Sequence, residues 1–282
     1  MSDNPLLTVE DLYVNFFTRE GPVEAVRGIS FSLGREKLGI VGESGSGKSM
    51  TGRAILRLIR YPGIATAKRL EFDGIDLQRA SSAQMRQIRG QRISMVMQDP
   101  KFSLNPTMRV GEQIAEAYRT HQKVSPAEAK RRTLDMLKAV RIRDPERVAR
   151  AYPHEVSGGM GQRIMIAMML IPDPDLLIAD EPTSALDVTV QLQVLAILDD
   201  LVTQRGMGLI FISHDLNLVA SFCDRVVIMY AGRVMEICDA KNLAAAQHPY
   251  TRGLLNCLPS IDGDSGDLPV LKRDPAWLEH GA

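Results

Sequence analysis

Gly42-Glu43-Ser44-Gly45-Ser46-Gly47-Lys48-Ser49 is a full match to the phosphate-binding pattern G-x-x-x-x-G-K-[ST]. The apolar run Lys37-Leu38-Gly39-Ile40-Val41 before it has strand character, and Met50 to Arg60 after it has helical spacing. A strand-to-helix turn is the setting such a loop needs, because glycines at 42, 45 and 47 let backbone amides wrap a phosphate with no Cβ in the way. Lys48 brings a point charge to the β- and γ-phosphates, Ser49 offers a hydroxyl to Mg2+, and the following helix turns its positive end to the anion. The chain is expected to bind a nucleoside triphosphate. A chance glycine-rich turn would lack both flanks.

At 282 residues the chain is long enough for one large domain and a tail. Lys and Arg together number 34, as do Asp and Glu, so no global field draws it to nucleic acid or anionic lipid. Cys223, Cys238 and Cys257 are widely spaced and read as reduced thiols rather than a disulfide framework or metal site. Asp3, Glu10 and Asp11 at the start do not make a secretory leader, and the longest apolar stretch, Ile164 to Ile171, falls far short of the ~20 residues that span a bilayer. The expectation is a cytoplasmic protein whose membrane, if any, is spanned by another chain.

Leu6 to Phe17 and Glu24 to Leu33 read as β segments around a turn at Arg19-Glu20-Gly21-Pro22, an antiparallel flap beside the nucleotide. Apolar runs at Leu70–Phe72, Ile93–Met97, Leu176–Ala179, Leu209–Ile212 and Val226–Tyr230 alternate with helices and predict a mostly parallel, doubly covered sheet. Between Asp99 and Ser157 the charges and helix formers predict an inserted helical subdomain, about 99–165. Its clearest helix opens at Ser125-Pro126-Ala127-Glu128 as a capping box, with Leu134, Leu137 and Val140 on one face and a solvated cluster at Lys130, Arg131 and Arg132. Residues 1–245 are expected to form the nucleotide-binding domain, and 246–282 an extension with a flexible linker at Ile261 to Asp267.

A phosphate loop alone fits many chemistries. Leu176-Leu177-Ile178-Ala179-Asp180-Glu181 narrows them: Asp180 at the strand end suits Mg2+, and Glu181 suits orienting and deprotonating an attacking water. An acidic pair after a strand also serves as a helix cap or solvated turn.

Val156-Ser157-Gly158-Gly159-Met160 resembles the signature of the ATP-binding cassette (ABC) ATPases, and it precedes the acidic strand as that family requires. Ser157, Gly158 and Gly159, opening a helix from Gln162 onward, are expected to form a second phosphate-binding helix start. The resemblance implies an α/β phosphate-loop NTPase core with antiparallel flap and helical insert, binding ATP and Mg2+. It implies nucleotide contacts from Gly42 through Ser49, from Met50, and from Ser157, Gly158, Gly159 and Asp187 of the Ser184-Ala185-Leu186-Asp187 loop. It further implies metal contacts from Ser49, Gln98 and Asp180, and catalytic roles for Lys48, Gln98, Glu181 and the switch histidine His214. Phe16 is the choice for an aromatic stacked on adenine, with Tyr13 and Phe17 as rivals and flap core as the bland alternative.

The resemblance covers roughly 6 to 260. Tyr152-Pro153-His154-Glu155, Gln162-Arg163, Asp187-Val188-Thr189-Val190-Gln191 and His248-Pro249-Tyr250-Thr251-Arg252-Gly253-Leu254-Leu255 are similar to the oligopeptide, dipeptide and nickel import ATPases. Val156 and Met160 replace the signature's Leu and Gln, and the tail lacks the Cys-rich stretch of some relatives, so no iron–sulfur centre is expected. The resemblance implies a motor at the cytoplasmic face of the bacterial inner membrane. Its partners would be a second ABC ATPase in a hetero- or homodimer, two permeases and an extracytoplasmic binding protein, with no nucleic acid. The alternatives are a soluble cassette acting on ribosomes or nucleic acid, and an inactive structural partner, which Lys48, Asp180, Glu181 and His214 disfavour. The identity of the cargo is not legible in this chain.

Overall fold

The computed structural model describes residues 5–99, 103–184, 186–257, 274 and 277. Asp3, residues 100–102 of the expected insert, Ala185 and the 261–267 linker lie outside the described residues. The chain forms two compact units, Met1–Arg79 with Phe211–Ala282, and Ala80–Ile210.

In the first unit β1 (Leu7–Thr18) pairs antiparallel with β2 (Gly21–Leu33), β4 (Gly63–Thr66) and β5 (Arg69–Phe72), and β5 with β6 (Ile75–Asp76). Buried apolar positions on β1 run Leu7, Val9, then Leu12 and Val14, a change of parity that plain alternation would forbid. An irregularity between Val9 and Leu12 absorbs it: Asp11 adopts φ 49 and its N–H donates to Ser30 Oγ at 2.9 Å. The turn falls at Arg19-Glu20, so Gly21 and Pro22 open β2 rather than forming the bend, and Pro22 lies opposite Phe17. Leu70–Phe72 joins this antiparallel sheet through Leu7 opposite Phe72, and is not a strand of the parallel sheet.

β3 (Lys37–Gly42) runs parallel to β10 (Arg225–Tyr230), and β11 (Arg233–Asp239) returns antiparallel. The helix after the phosphate loop, α1 (Lys48–Ile55), ends sooner than its spacing suggests. Arg57 takes φ 52, its N–H donates to Ala54 O and that of Leu58 to Arg53 O, the paired bonds of a Schellman ending. Arg57 also donates to Leu77 O at 3.1 Å, a bond glycine could not make. α8 (Leu216–Phe222), capped by Asp215, packs on β3, and α9 (Pro249–Asn256) follows a cap at His248.

In the second unit β7 (Ile93–Val96) and β8 (Leu176–Asp180) are parallel, Ile93 opposite Leu176. Around them stand α2 (Ser82–Ile88), α3 (Val110–His121), α4 (Pro126–Ala139), α5 (Pro145–Arg150), α6 (Gly158–Leu170) and α7 (Val188–Arg205). Ser125 caps α4 by accepting from Glu128 N–H, but the Glu128 carboxylate turns to Arg131 at 2.6 Å, so only half of the expected capping box forms. Asp173 accepts from Arg132 of α4 at 2.7 Å and pairs with Arg205 of α7 at 2.5 Å. Arg205 also donates to Leu170 O at 2.7 Å, which fixes the end of α6. β9 (Gly208–Ser213) carries the chain from this unit to the other. Among the described residues no helix is long and apolar enough to cross a membrane.

Two tests follow from the α8–β3 contact. A Cβ on Gly39 would lie 2.1 Å from Val219 Cγ1 and 3.2 Å from Cys223 Sγ. Gly39→Ala should therefore cost about 1–3 kcal/mol of stability, and adding Val219→Ala should restore part of it, measured by denaturant midpoints. Burial pushes the Cys223 thiol up to about 12, with smaller opposing effects from Lys37 and Asp224. The unfolded chain releases this proton first, so the stability it contributes is full below about pH 9 and is lost as pH rises toward 12. Cys223→Ala should flatten that alkaline decline in unfolding curves, and an unchanged slope would rule out this thiol as its source.

Candidate functional site

In the first unit the loop leaves β3 at Gly42 and enters α1 through Gly47, which takes φ 98 at the cap. A Cβ at Gly42 would stand 2.1 Å from Met229 O, and one at Gly47 would stand 2.5 Å from Ala25 O. Only glycine passes between these backbones. Lys48, 5% exposed, donates from Nζ to Gly42 O at 2.7 Å and Glu43 O at 2.8 Å. Those carbonyls turn inward to the ammonium, and the N–H groups opening α1 lack acceptors of their own helix. Ser46 N–H donates to Glu43 O at 3.2 Å, while the buried Ser46 Oγ has no hydrogen-bond partner. A cradle that excludes Cβ atoms, a buried lysine and an orphaned hydroxyl fit a phosphate chain. Glu43, Ser44, Gly45, Ser49 and Met50 lie along the same turn and first helical turn.

The flap bears on this loop. Val26 Cγ2 comes within 3.3 Å of where a Gly47 Cβ would be, and Val26 is the partner of Val14. Phe16, two residues on from Val14, shares that face and packs against Gly63. Tyr13 covers Gly28 instead, and Phe17, 56% exposed, lines a surface cleft with Asn15 and Pro22. His214 is exposed between β9 and the Asp215 cap of α8.

In the second unit β8 delivers Asp180, 4% exposed, and then Glu181. Glu181 has φ 47, a left-handed conformation uncommon for a side-chain-bearing residue, and Pro182 after it disfavours the right-handed helical alternative. Its carbonyl accepts from Ser184 N–H at 3.3 Å and Ser184 Oγ at 3.2 Å. Gln98 Nε2 donates to Glu181 Oε2 at 3.2 Å, bringing together two side chains 83 positions apart. Asp180 closes the strand and Glu181 departs from its extended backbone, and neither caps a helix among the described residues.

Ser157 is itself the cap of α6, accepting from Met160 N–H at 3.4 Å, so the helix starts at Gly158, four residues before the expected Gln162. The side-chain bond to the first turn outweighs the poor helix propensity of two glycines. A Cβ on Gly158 would meet nothing within 4 Å, whereas one on Gly159 would lie 2.6 Å from Val190 Cγ1. Asp187 caps α7 through Val190 N–H at 3.0 Å, so the starts of α6 and α7 adjoin. Among the described residues no cluster of His, Cys, Asp and Glu could hold a metal by itself. The motifs include Ser46 but do not announce the Ser184 clasp or the contact of Val190 with Gly159. Only Ser184, three residues after Glu181 in a Pro-Thr-Ser turn, left a local signal.

The ABC transporter family model matches residues 26–184. The chain is 50% identical over 266 residues to a probable peptide ABC transporter ATP-binding protein of Sinorhizobium fredii, covering 92% of this chain and 79% of that one. A dipeptide transport ATP-binding protein of Bacillus subtilis is 47% identical over 276 residues, 97% of this chain and 82% of the relative. Among solved structures, a dimeric ATP-binding cassette in a post-hydrolysis state, bound to ADP and Pi, matches with a TM-score of 0.75 at 26% identity, covering 83% of this chain and 99% of that chain. Strand, phosphate loop, acidic strand and capped signature helix therefore have one source: the chain belongs to the ABC transporter family, with its α/β cassette fold, and is an ATP-hydrolysing transport subunit.

Proposed function

We propose that the chain is the motor of a peptide importer, lying peripherally at the cytoplasmic face of the bacterial inner membrane. The observation that carries the cargo class is identity near one half, over nearly the whole chain, to transport ATPases named for peptides and dipeptides. Residues 1–245 would be the cassette, with 99–165 as its helical part, and 246–282 the extension of this branch.

Each half has a defined task. Lys48 and the amides from Gly42 to Ser49 hold the phosphates, Met50 follows them into α1, and Phe16 offers its ring to adenine. Mg2+ would be held by Ser49, Gln98 and Asp180 together with phosphate oxygens, and would offset the charge of the transferring group. Glu181 takes a proton from the attacking water as its oxygen bonds to the γ-phosphorus and the bond to ADP breaks. Gln98 keeps that carboxylate aimed. His214 contacts the γ-phosphate. Ser157, Gly158, Gly159 and Asp187 serve the nucleotide held by a second cassette, two permeases take up the closing motion, and a binding protein supplies the peptide.

Glu181→Gln keeps the shape and the reach to Gln98 but removes the base. It should lower kcat by about 10²–10⁴-fold with ATP affinity within about twofold, read by phosphate release and nucleotide binding. Unchanged turnover would remove Glu181 from the mechanism. Purification of the tagged chain from gently solubilised membranes should recover two multi-spanning permeases and a second cassette, and cells lacking the chain should lose uptake of a labelled tripeptide. Recovery with ribosomes or nucleic acid would overturn the transporter assignment, and undiminished tripeptide uptake would overturn the peptide cargo.

A further inference from the structure

Strands β10 and β11 are joined by Ala231-Gly232, both left-handed at φ 46 and 85, as in the tight two-residue hairpin turn that matches strand twist. The tip of this hairpin braces the phosphate loop. Gly232 N–H donates to Ser46 O at 3.1 Å, Gly232 O accepts from Arg27 N–H at 2.7 Å, and Met229 O fills the space a Gly42 Cβ would need. The hairpin therefore braces the loop at Gly42 and at Ser46.

Tyr230, the last residue of β10, anchors an aromatic cluster. The Tyr250 ring lies 4.7 Å from it, and Trp277 of the tail meets it edge-on at 6.1 Å and 87°. Trp277 also meets Tyr250 at 5.6 Å and His248 at 6.2 Å. The base of the cluster is rigid: Tyr250 is fully buried, and the Glu236 carboxylate of β11 accepts from Gln247 and His248 N–H at 2.7 and 3.2 Å. Trp277 is the only tryptophan of the chain, and its ring contacts among the described residues are Tyr230, His248 and Tyr250.

From the edge-on ring of Trp277 through Tyr230 and the Ala231-Gly232 tip to Ser46, the contacts form one continuous series ending next to Gly47 and Lys48. We infer that Trp277 is a positioning residue for ATP: seated on Tyr230 and Tyr250, it holds the hairpin tip against Ser46 and keeps the phosphate loop in its binding geometry. A loop that samples other shapes binds more weakly by the fraction of time it is misplaced, so loosening the brace raises Kd without touching a ligand contact. The inference rests on ATP binding at residues 42–49.

The test measures ATP Kd by equilibrium dialysis on the full chain, with melting curves recorded for every variant. Trp277→Ala should raise Kd about threefold to tenfold, the scale of an edge-on aromatic contact. Trp277→Phe, which keeps a ring, should stay within about twofold, and Trp277→Leu, which keeps apolar bulk for folding, should shift Kd in the same direction as alanine. Tyr230→Ala should also raise Kd, and the double variant should raise it no further than the larger single effect, since both act through one brace. An unchanged Kd in Trp277→Ala and Trp277→Leu, or effects of Trp277 and Tyr230 that multiply independently, would overturn the coupling and leave the ATP site standing. Failure of the unaltered chain to bind ATP would overturn both.

Discussion

A buried ammonium must be surrounded by oxygen, and the phosphate loop takes its shape from that requirement at Lys48. The side chain curls back on its own loop, and the carbonyls of Gly42 and Glu43 turn in to meet it. Peptide planes that aim their oxygens inward present N–H groups on the other side, which is the surface an anion needs. The same curl drives the backbone against Met229 O and Ala25 O, leaving no room for a Cβ at 42 or 47. Lysine and glycine are thus two consequences of one constraint. A triphosphate then competes for the ammonium with acceptors that have kept it in place.

The second unit meets a different difficulty. Two adjacent carboxylates at the end of a strand would repel one another if they pointed the same way. Glu181 is held at φ 47, at a cost typical of a strained backbone, and its carboxylate meets the Gln98 amide. Pro182 removes the easy way out, the Ser184 clasp supports the turn, and Gln98 holds the carboxylate by a neutral donor. The amide of Gln98 fixes the direction in which one carboxylate oxygen of Glu181 points.

The strand and loop at 37–49 were legible because their signals are local: an apolar run, then glycines and a lysine at set spacing. Boundaries failed where side chains acted against propensity. Ser-Gly-Gly reads as irregular chain, yet the Ser157 hydroxyl starts α6 there. Arg57 carries no stop signal, yet it ends α1 in a conformation usually left to glycine and finds a carbonyl at Leu77. Asp11 changes the parity of β1 by a bulge that no pattern announced, and Leu70–Phe72 has the composition of a central strand but the partners of a flap strand. Gln98 and Glu181, 83 positions apart, could be linked only by the family likeness. Nothing in the local sequence marks that pair, because a strand end and a loop contribute one side chain each.

One cassette carries a motor's chemistry but not its stroke. Swinging a closed state from 1:99 to 99:1 takes about 5.5 kcal/mol, roughly 2.7 from each of two nucleotides. Nucleotide supplies that difference only through contacts made in the closed state and absent in the open one. The start of α6 has the properties of such a contact. Its cap is already satisfied within the helix, and even a Cβ on Gly158 would meet nothing within 4 Å, so the opening N–H groups of α6 are open to an approaching phosphate. Beside it, Val188 at 73% and Leu192 at 60% exposure place apolar surface on α7, where a second protein surface would cover it. On the proposed function, a polar helix start beside exposed apolar residues would respond both to a partner and to the triphosphate that partner holds. In the proposed motor, closure and hydrolysis would then depend on the same arrangement, since each would draw on a second cassette at these surfaces.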